Sequence, residues 1–196
     1  MTNMQNLIDR IRIKINDQTA FEFQDDELVS YIYEGLSMLE ILLLSNNVQF
    51  NITYLLSAAS ICPVPEDMLK IYKITNHKNE IPLKDITDLS YGYYILNNYI
   101  ILPCTNAEIY YIKEFERYGI KDNINLPAAY IEYLYNNAVI RALSRLEFNM
   151  ENEKNELMQL SSLIIKTALN NNSIYQLKRY NGYYLWKNHL IIQKTV

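Results

Sequence analysis

The sequence predicts an α+β protein that is mainly helical: a bundle of about four helices, an inserted small antiparallel β-sheet and a C-terminal hairpin or arm. Three observations support this class. Apolar residues recur at helical spacing in the first and last thirds of the chain. The middle holds four of the five prolines together with short β-type runs. Near the C-terminus, Asn181-Gly182 lies between two aromatic-rich runs, the strongest hairpin signal in the chain.

The first two helices are predicted over residues 3–15 and 24–44. The apolar positions of the first helix are Met4, Leu7, Ile8, Ile11 and Ile15. The second helix begins in the stretch FEFQDDELVSYIYEGL, where three acidic residues directly precede an apolar stripe. Negative charge is favourable beside the positive end of a helix. The acidic run 25–27 is therefore interpreted as a helix start and not as a metal or catalytic site.

Four residues around this helix start form a predicted structural cap. With Gln24 at the N-cap, Phe23 and Leu28 occupy the two positions of a hydrophobic staple. Glu27 falls at the third helical position, from which its carboxylate can reach back to the N-cap amide. We therefore expect these side chains to hold the end of the helix and to have no catalytic role.

The helical period fades between about residues 50 and 116, which predicts a β insert. The β-type runs are QFNITYLL, MLKIYKI, YYIL, YIILP and EIYYIKEF. The runs at 93–96 and 99–102 are separated by Asn97-Asn98, and Asn tolerates the left-handed backbone that a tight hairpin turn needs. We therefore predict one small antiparallel sheet that contains a hairpin at this point.

Helices return over residues 126–147 and 151–170, where the apolar spacing predicts an αα-hairpin. A Leu-Pro pair opens the first of them, and the asparagine run 170–172 is expected to end the second. Residues 1–172 are thus assigned to one domain that carries the β insert, and residues 173–196 to a C-terminal arm.

The arm is rich in apolar side chains and contains no acidic residue. Its candidate partner-binding residues are Tyr180, Tyr183, Tyr184, Trp186, Leu190, Ile191 and Ile192. Two interpretations stay open. Either the segment folds back as a hairpin that completes the subunit's own core, or it docks on a neighbouring protein by adding strands to a sheet edge or by filling a groove with aromatic rings.

Composition and charge argue against several classes of function. The 196-residue chain has a formal net charge of −4, whereas a protein that grips nucleic acid by its phosphates needs a surplus of Lys and Arg. The longest apolar run, Ile41–Leu44, is far shorter than the roughly 20 residues that span a membrane, and no secretory signal is expected. Tyrosine is abundant, with 18 residues, which an AT-rich gene explains as well as a wet protein interface does.

No catalytic, metal or cofactor motif is recognisable, so the chain is not expected to be an enzyme. His77 and His189 have no Cys, Asp or Glu at metal-ligand spacing. Cys62 and Cys104 lie far apart and outside any CxxC pattern, and they are interpreted as buried, reduced thiols. The four glycines form neither a dinucleotide-binding fingerprint nor a phosphate-binding loop. No cofactor and no metal ligand is therefore assigned.

The order of elements, and four stretches within it, resemble the head-to-tail adaptor (connector ring) proteins of tailed bacteriophages. RIRIKINDQTAFEFQDDELVSYIYEGLSML is similar to the family's opening arm, turn and long helix. VPEDMLKIYKI resembles its proline-led entry into the sheet, YYILNNYIILP its central hairpin, and LPAAYIEYLYNNAVIRALSRLE its Leu-Pro helix. The resemblance covers roughly residues 3–170, although Gln24 stands where Ser, Thr or Asp is commoner. The composition suits a crAss-like phage of a gut host.

The resemblance implies a structural virion protein, made in the bacterial cytoplasm and located at the portal vertex. About a dozen copies would form a ring below the portal, extend the DNA channel and join the head to the tail. The implied partners are the portal protein, further copies of the chain and the next tail or stopper ring protein, with no membrane. Genomic DNA would pass through the lumen, and an acidic chain suits such a conduit because it repels phosphates.

Two alternatives to a connector ring remain. One is a helical nucleic-acid-binding phage regulator, which an exposed recognition helix with a basic patch would favour. The other is a small phage enzyme of unknown type, which a deep polar pocket with a strongly perturbed titratable group would favour.

Overall fold

The computed structural model describes residues 2–77, 79–85 and 90–178, and it confirms the α+β class. The chain divides into two compact units. The helical unit consists of Met1–Val48 and Arg117–Val196, and the β unit consists of Gln49–Glu116. The β unit is compact in itself and holds two sheets, so the chain is an α+β protein with both helical and strand-rich parts.

The described part of the helical unit contains four helices. They are α1 (Met4–Ile15), α2 (Asp25–Ser45), α3 (Ala128–Arg145) and α4 (Glu151–Lys178). The predicted bounds of the first three agree with these to within two residues at each end, the usual uncertainty of helix ends. Asn3 caps α1 by accepting a hydrogen bond from the Asn6 amide at 2.8 Å. Pro127 directly precedes α3, where its missing amide costs no helical hydrogen bond.

The C-terminal end of α4 was predicted wrongly. The helix continues through the asparagine run 170–172 and ends at Lys178. Asn is less favourable than Ala in a helix by only about 0.7 kcal/mol per residue, whereas Pro costs about 3 kcal/mol, and no Pro or Gly lies between 151 and 178. The predicted arm residues from Tyr180 to Ile192 lie outside the described residues.

Helix α3 is the element against which α1, α2 and α4 all pack. The buried apolar residues of α2 and α3 are Leu28, Ile32, Leu36, Leu39, Leu43, Ile131, Leu134, Ala138, Val139 and Ala142. The two helices approach closely at Gly35, where a Cβ atom would lie 3.2 Å from the Asn137 side chain. The missing side chain of Gly35 therefore makes room for Asn137 where α2 and α3 pack.

Within the described residues, α2 is the one helix that is long and apolar enough to cross a membrane by length and composition. The core helix of a soluble protein meets the same two criteria. In the structure the apolar stripe of α2, from Leu28 to Leu43, is buried within the helical unit. Its apolar character is thus explained by its place in the core.

The β unit contains two antiparallel sheets where one was predicted. Its strands are β1 (Ile52–Ser57), β2 (Ile61–Pro63), β3 (Met68–Asn76), β4 (Asn79–Glu80), β5 (Tyr94–Leu96), β6 (Tyr99–Ile101) and β7 (Ala107–Lys113). One sheet has the order β1-β7-β3-β4 and the other the order β2-β6-β5. A shared core lies on their inner faces and includes Cys62, Ile74, Ile81, Ile100 and Ile109. The strands of the second sheet are only three residues long, too short to show a period in the sequence.

The predicted hairpin at Asn97-Asn98 is confirmed. Strands β5 and β6 pair directly across it, with Leu96 opposite Tyr99. Asn97 has φ of 49° and Asn98 has φ of 62°, so both central residues are left-handed. A two-residue turn of this kind matches the twist of the flanking strands.

The helix assignment is tested by placing the same charge at a buried and at an exposed position of α2. Leu36 is 3% exposed and Ile41 is 65% exposed. Leu36→Asp should lower the free energy of unfolding by at least about 3 kcal/mol, because a charge without a partner enters the core. Ile41→Asp should change it by about 0.5 kcal/mol or less. Urea titration of both variants measures the difference, and equal stabilities would contradict the assigned face of α2.

Candidate functional site

The described residues contain no group of side chains suited to binding a metal ion. Across residues 2–77, 79–85 and 90–178, no three or more His, Cys, Asp or Glu side chains lie together in a group that could hold a metal ion. His77 occupies a turn, with φ of 46°. Cys62 is a buried free thiol, whereas Cys104, which was expected to be buried, is half-buried. The described part of the chain instead contains a buried charge network and apolar side chains exposed on its surface.

Arg12 is the centre of the charge network. It lies in the last turn of α1 and is only 6% exposed. Its Nη1 donates to Asp17 Oδ2 at 2.8 Å, and its Nη2 donates to Asp25 Oδ1 at 2.6 Å and to the Phe23 carbonyl at 2.9 Å. One guanidinium thus joins the end of α1, the loop that follows and the first turn of α2.

Asp17 also binds the backbone of the loop that follows α1. Its carboxylate is buried and accepts hydrogen bonds from the amides of Phe21, Glu22 and Phe23 at 2.8, 3.0 and 3.1 Å. Burial alone raises the pKa of Asp17, but these three amides and the charge of Arg12 outweigh it, so the pKa lies below the ordinary value of a carboxyl. Asp17 and Arg12 together therefore bind the loop, through three of its amides and the Phe23 carbonyl.

The ordered loop places its two aromatic residues in opposite environments. Phe23 is fully buried, with the Arg145 guanidinium 4.8 Å from its ring centroid. Phe21 is 83% exposed, the highest value among the large apolar side chains of the described residues. An aromatic side chain on a fixed loop loses little conformational entropy when a partner covers it.

The predicted cap of α2 is present in position but differs in its contacts. Gln24 is the N-cap residue, and its side chain makes no cap hydrogen bond. Phe23 and Leu28 are both fully buried. The expectation that Glu27 reaches the N-cap amide was wrong, because its carboxylate accepts a hydrogen bond from the Tyr31 hydroxyl at 2.6 Å and pairs with Arg145. These donors include a full positive charge, which a backbone amide cannot match.

The contacts of Glu27 and Tyr31 explain the direction in which the pKa of each is shifted. The hydrogen bond from Tyr31 lowers the pKa of Glu27, burial opposes it, and the charge of Arg145 adds to the lowering. Burial raises the pKa of Tyr31, and the hydrogen bond to Glu27 raises it further. The pair therefore stays a carboxylate and a neutral phenol at physiological pH. The Glu27–Arg145 ion pair joins the start of α2 to the last turn of α3.

The acidic run 25–27 has a second role besides starting α2, because it also binds arginines of other helices. Asp25, Asp26 and Glu27 form the first turn of α2, as predicted. Two of the three carboxylates also hold guanidiniums from other helices, Arg12 from α1 and Arg145 from α3. The sequence contained one sign of the Arg12 site, a cation at helical spacing within the apolar stripe of Ile8 and Ile15.

Exposed apolar side chains occur on both compact units. On the helical unit they include Ile13, Phe21, Ile41, Phe148, Met158 and Leu163. On the β unit they include Tyr54, Leu56, Ile61, Leu83, Leu96 and Tyr99. Exposed apolar surface that is contiguous marks sites of interaction with other proteins.

No model of a known protein family matches the chain, and no curated protein matches it in sequence.

The buried network is tested by removing two arginines from the same helix. Arg12→Met leaves Asp17 as a buried carboxylate without its cation and should cost about 3–5 kcal/mol of stability. Arg10→Met breaks the pair with Glu132, whose side chains are 42% and 46% exposed, and should cost about 1 kcal/mol or less. Urea titration at neutral pH gives both values. Similar losses in the two variants would show that Arg12 is not the structural centre.

The same titrations at lower pH test the role of Asp17. Because the folded-state pKa of Asp17 lies below its unfolded value near 3.9, its contribution is complete at neutral pH and is lost as the pH falls through the folded value. The Asp17→Asn variant should be less stable than the wild type at neutral pH, and the gap should narrow below about pH 4. A gap that stays constant with pH would contradict this assignment.

Proposed function

We propose that the chain is a structural virion protein that forms a ring of about twelve copies below the portal of a tailed bacteriophage. The ring extends the DNA channel and joins the head to the tail. The observation that carries the proposal is the apolar surface left exposed on both compact units. The resemblance of the element order to head-to-tail adaptor proteins supports a ring as the assembly in which this surface is used.

A ring needs two different complementary surfaces on every subunit. Rotation about a ring axis repeats a heterologous contact, in which one patch of a subunit meets another patch of the next. The helical unit exposes Phe21 on a fixed loop, and the β unit exposes Ile61, Leu96 and Tyr99 on a small sheet. Surfaces of this kind favour association with other proteins, which is the task of a connector.

The charge of the chain fits a conduit for DNA. The formal net charge is −4, and many of the cations in the described residues already pair with acidic groups, among them Arg10, Arg12, Lys14, Arg141 and Arg145. The net acidic charge leaves the chain without a surplus of cations to hold phosphates, so genomic DNA can slide past the protein.

The proposal extends to the parts of the subunit. The four helices act as one mainly helical bundle, the β unit is its insert, and the C-terminal segment is the hairpin or arm that contacts a neighbouring protein. The partners are the portal protein, further copies of the chain and the next tail or stopper ring protein. The protein works in the virion after its synthesis in the host cytoplasm and has no enzymatic activity and no cofactor.

The proposed function predicts an assembly of defined mass. About twelve copies of a 23.2 kDa chain give a ring of roughly 280 kDa. Native mass spectrometry and electron microscopy of the purified protein, alone and mixed with the portal protein of the same phage, should show this ring either free or bound to the portal. A protein that stays at 23.2 kDa in both experiments would contradict the proposal.

Binding to duplex DNA separates the proposal from the regulator alternative. A conduit protein should bind duplex DNA weakly, and the binding should disappear near physiological salt because few counterions are released. Sequence-specific binding in the nanomolar range would favour a regulator.

A further inference from the structure

The outer face of the three-stranded sheet carries six side chains, and none of them is charged. These six residues lie directly opposite one another on the three strands. Ile61 and Tyr94 both pair with Ile101, and Pro63 and Leu96 both pair with Tyr99. Residues opposite each other in antiparallel strands point to the same side of the sheet. The six residues therefore form two adjacent apolar rows, which we call the outer β face.

Four of the six residues of the outer β face are exposed, and Tyr94 and Ile101 are half-buried. Ile61 is 56% exposed, Tyr99 is 47% exposed and Leu96 is 43% exposed. The opposite side of the same sheet carries Cys62 and Ile100, which are buried in the core of the β unit, and Ile95 on the edge strand β5, which is 50% exposed. The sheet thus has apolar side chains on both sides, although a sheet with one solvated side is expected to alternate apolar and polar residues.

The neighbouring four-stranded sheet shows what a solvated face looks like in this unit. On its outer side, Glu108 accepts hydrogen bonds from Thr75 at 3.1 Å and from Tyr110 at 2.9 Å. Lys73 lies over the Tyr110 ring at 4.6 Å from its centroid. Charged side chains therefore accompany the exposed Tyr54 and Leu56 on that sheet, and the six residues of the outer β face include none.

Residues 179–196 have the chemistry that fits the outer β face. Half of these eighteen residues are apolar or aromatic: Tyr180, Tyr183, Tyr184, Leu185, Trp186, Leu190, Ile191, Ile192 and Val196. The charged ones are Arg179, Lys187 and Lys194, all cationic, whereas residues 1–178 contain 15 Lys and Arg against 22 Asp and Glu, a formal charge of −7. Apolar side chains can cover the face while the cations are attracted to an acidic neighbour.

The segment is long enough to reach another subunit. Eighteen extended residues span about 60 Å at roughly 3.3 Å per residue. A compact unit of roughly 70 residues, about the length of the β unit Gln49–Glu116, has a radius of gyration of about 11 Å, which corresponds to a diameter of roughly 28 Å. The segment that follows Lys178 can therefore cross a unit of that size on a neighbouring copy.

We propose that residues 179–196 of one copy dock on the outer β face of an adjacent copy. A segment and a sheet face are two different surfaces, so this contact is heterologous and repeats around a ring. The inference deepens the proposed function, on which it rests for the ring, because it names the contact that links one subunit to the next.

Trp186 allows the docking to be followed directly, because it is the single tryptophan of the chain. The face variant carries Leu96→Lys and Tyr99→Lys. The matched control carries Tyr54→Lys and Leu56→Lys, at positions 66% and 60% exposed on the four-stranded sheet. All four side chains are exposed, so both variants should keep the wild-type melting temperature to within a few degrees.

The expected result is a Trp186 emission that depends on concentration and on the outer β face. In the wild type the emission should be blue-shifted at high concentration and should move to the red on dilution, as docked segments are released. The control variant should behave like the wild type, and the face variant should emit at the red position throughout. A face variant that keeps the blue-shifted emission, or a wild type that emits red at every concentration, would overturn the proposal.

Mixing two variants decides whether the docking is between copies. Trp186→Phe protein has an intact face and no tryptophan, and the face variant has Trp186 and no docking face. Adding the first to the second should restore the blue shift, because the segment of one copy then binds the face of the other. A blue shift in the wild type that resists dilution, with no restoration on mixing, would place the segment on its own chain and refute the proposal.

The mass of the assembly keeps this inference separate from the proposed function. Rings in which Trp186 emission stays red would contradict the docking and leave the connector function standing. Restored emission on mixing without any ring, alone or with the portal, would support the docking and count against the connector function.

Discussion

The buried guanidinium of Arg12 is the constraint on which the helical unit depends. A charge without a partner at a site that is 6% exposed would cost several kcal/mol, so the chain around it must supply carboxylates. Asp17 and Asp25 do so, and Asp17 also binds three successive loop amides. This arrangement fixes where α2 begins, and hence which side of α2 packs against α3. The Glu27–Arg145 pair then ties the same turn to the far end of α3.

Local patterns in the sequence predicted those elements whose cause is local. The apolar period located the helices, and Asn97-Asn98 located a hairpin, because both effects act over a few residues. The partner of Glu27 could not be predicted, since Arg145 lies 118 residues away along the chain. The second sheet was missed because three-residue strands show no period, and α4 was ended too early because the propensity of Asn was given too much weight against a helix without Pro or Gly. At the candidate site, the cap positions could be predicted from the sequence. The Arg12 network could not, because its contacts are visible only in the folded structure.

Charged and apolar side chains have different roles in this structure. Several of its charged residues form ion pairs between helices, and no group of metal-ligating side chains occurs in residues 2–77, 79–85 and 90–178. Apolar residues, in contrast, remain exposed on a fixed loop and on the outer face of a small sheet. Burial of such surface contributes roughly 25 cal/mol per Å², which is free energy available for association with other proteins. A subunit of an assembly uses its surface in this way.

Locating the chain in mature virions is the most direct test of the proposed connector function. Tailed particles of the phage that this proposal implies can be labelled with an antibody against the chain, and its copy number can be measured against that of the portal protein by quantitative mass spectrometry. The account predicts label at one vertex only, between head and tail, and about as many copies of the chain as of the portal. A chain that is absent from mature particles, or that is spread over the whole capsid, would contradict the account.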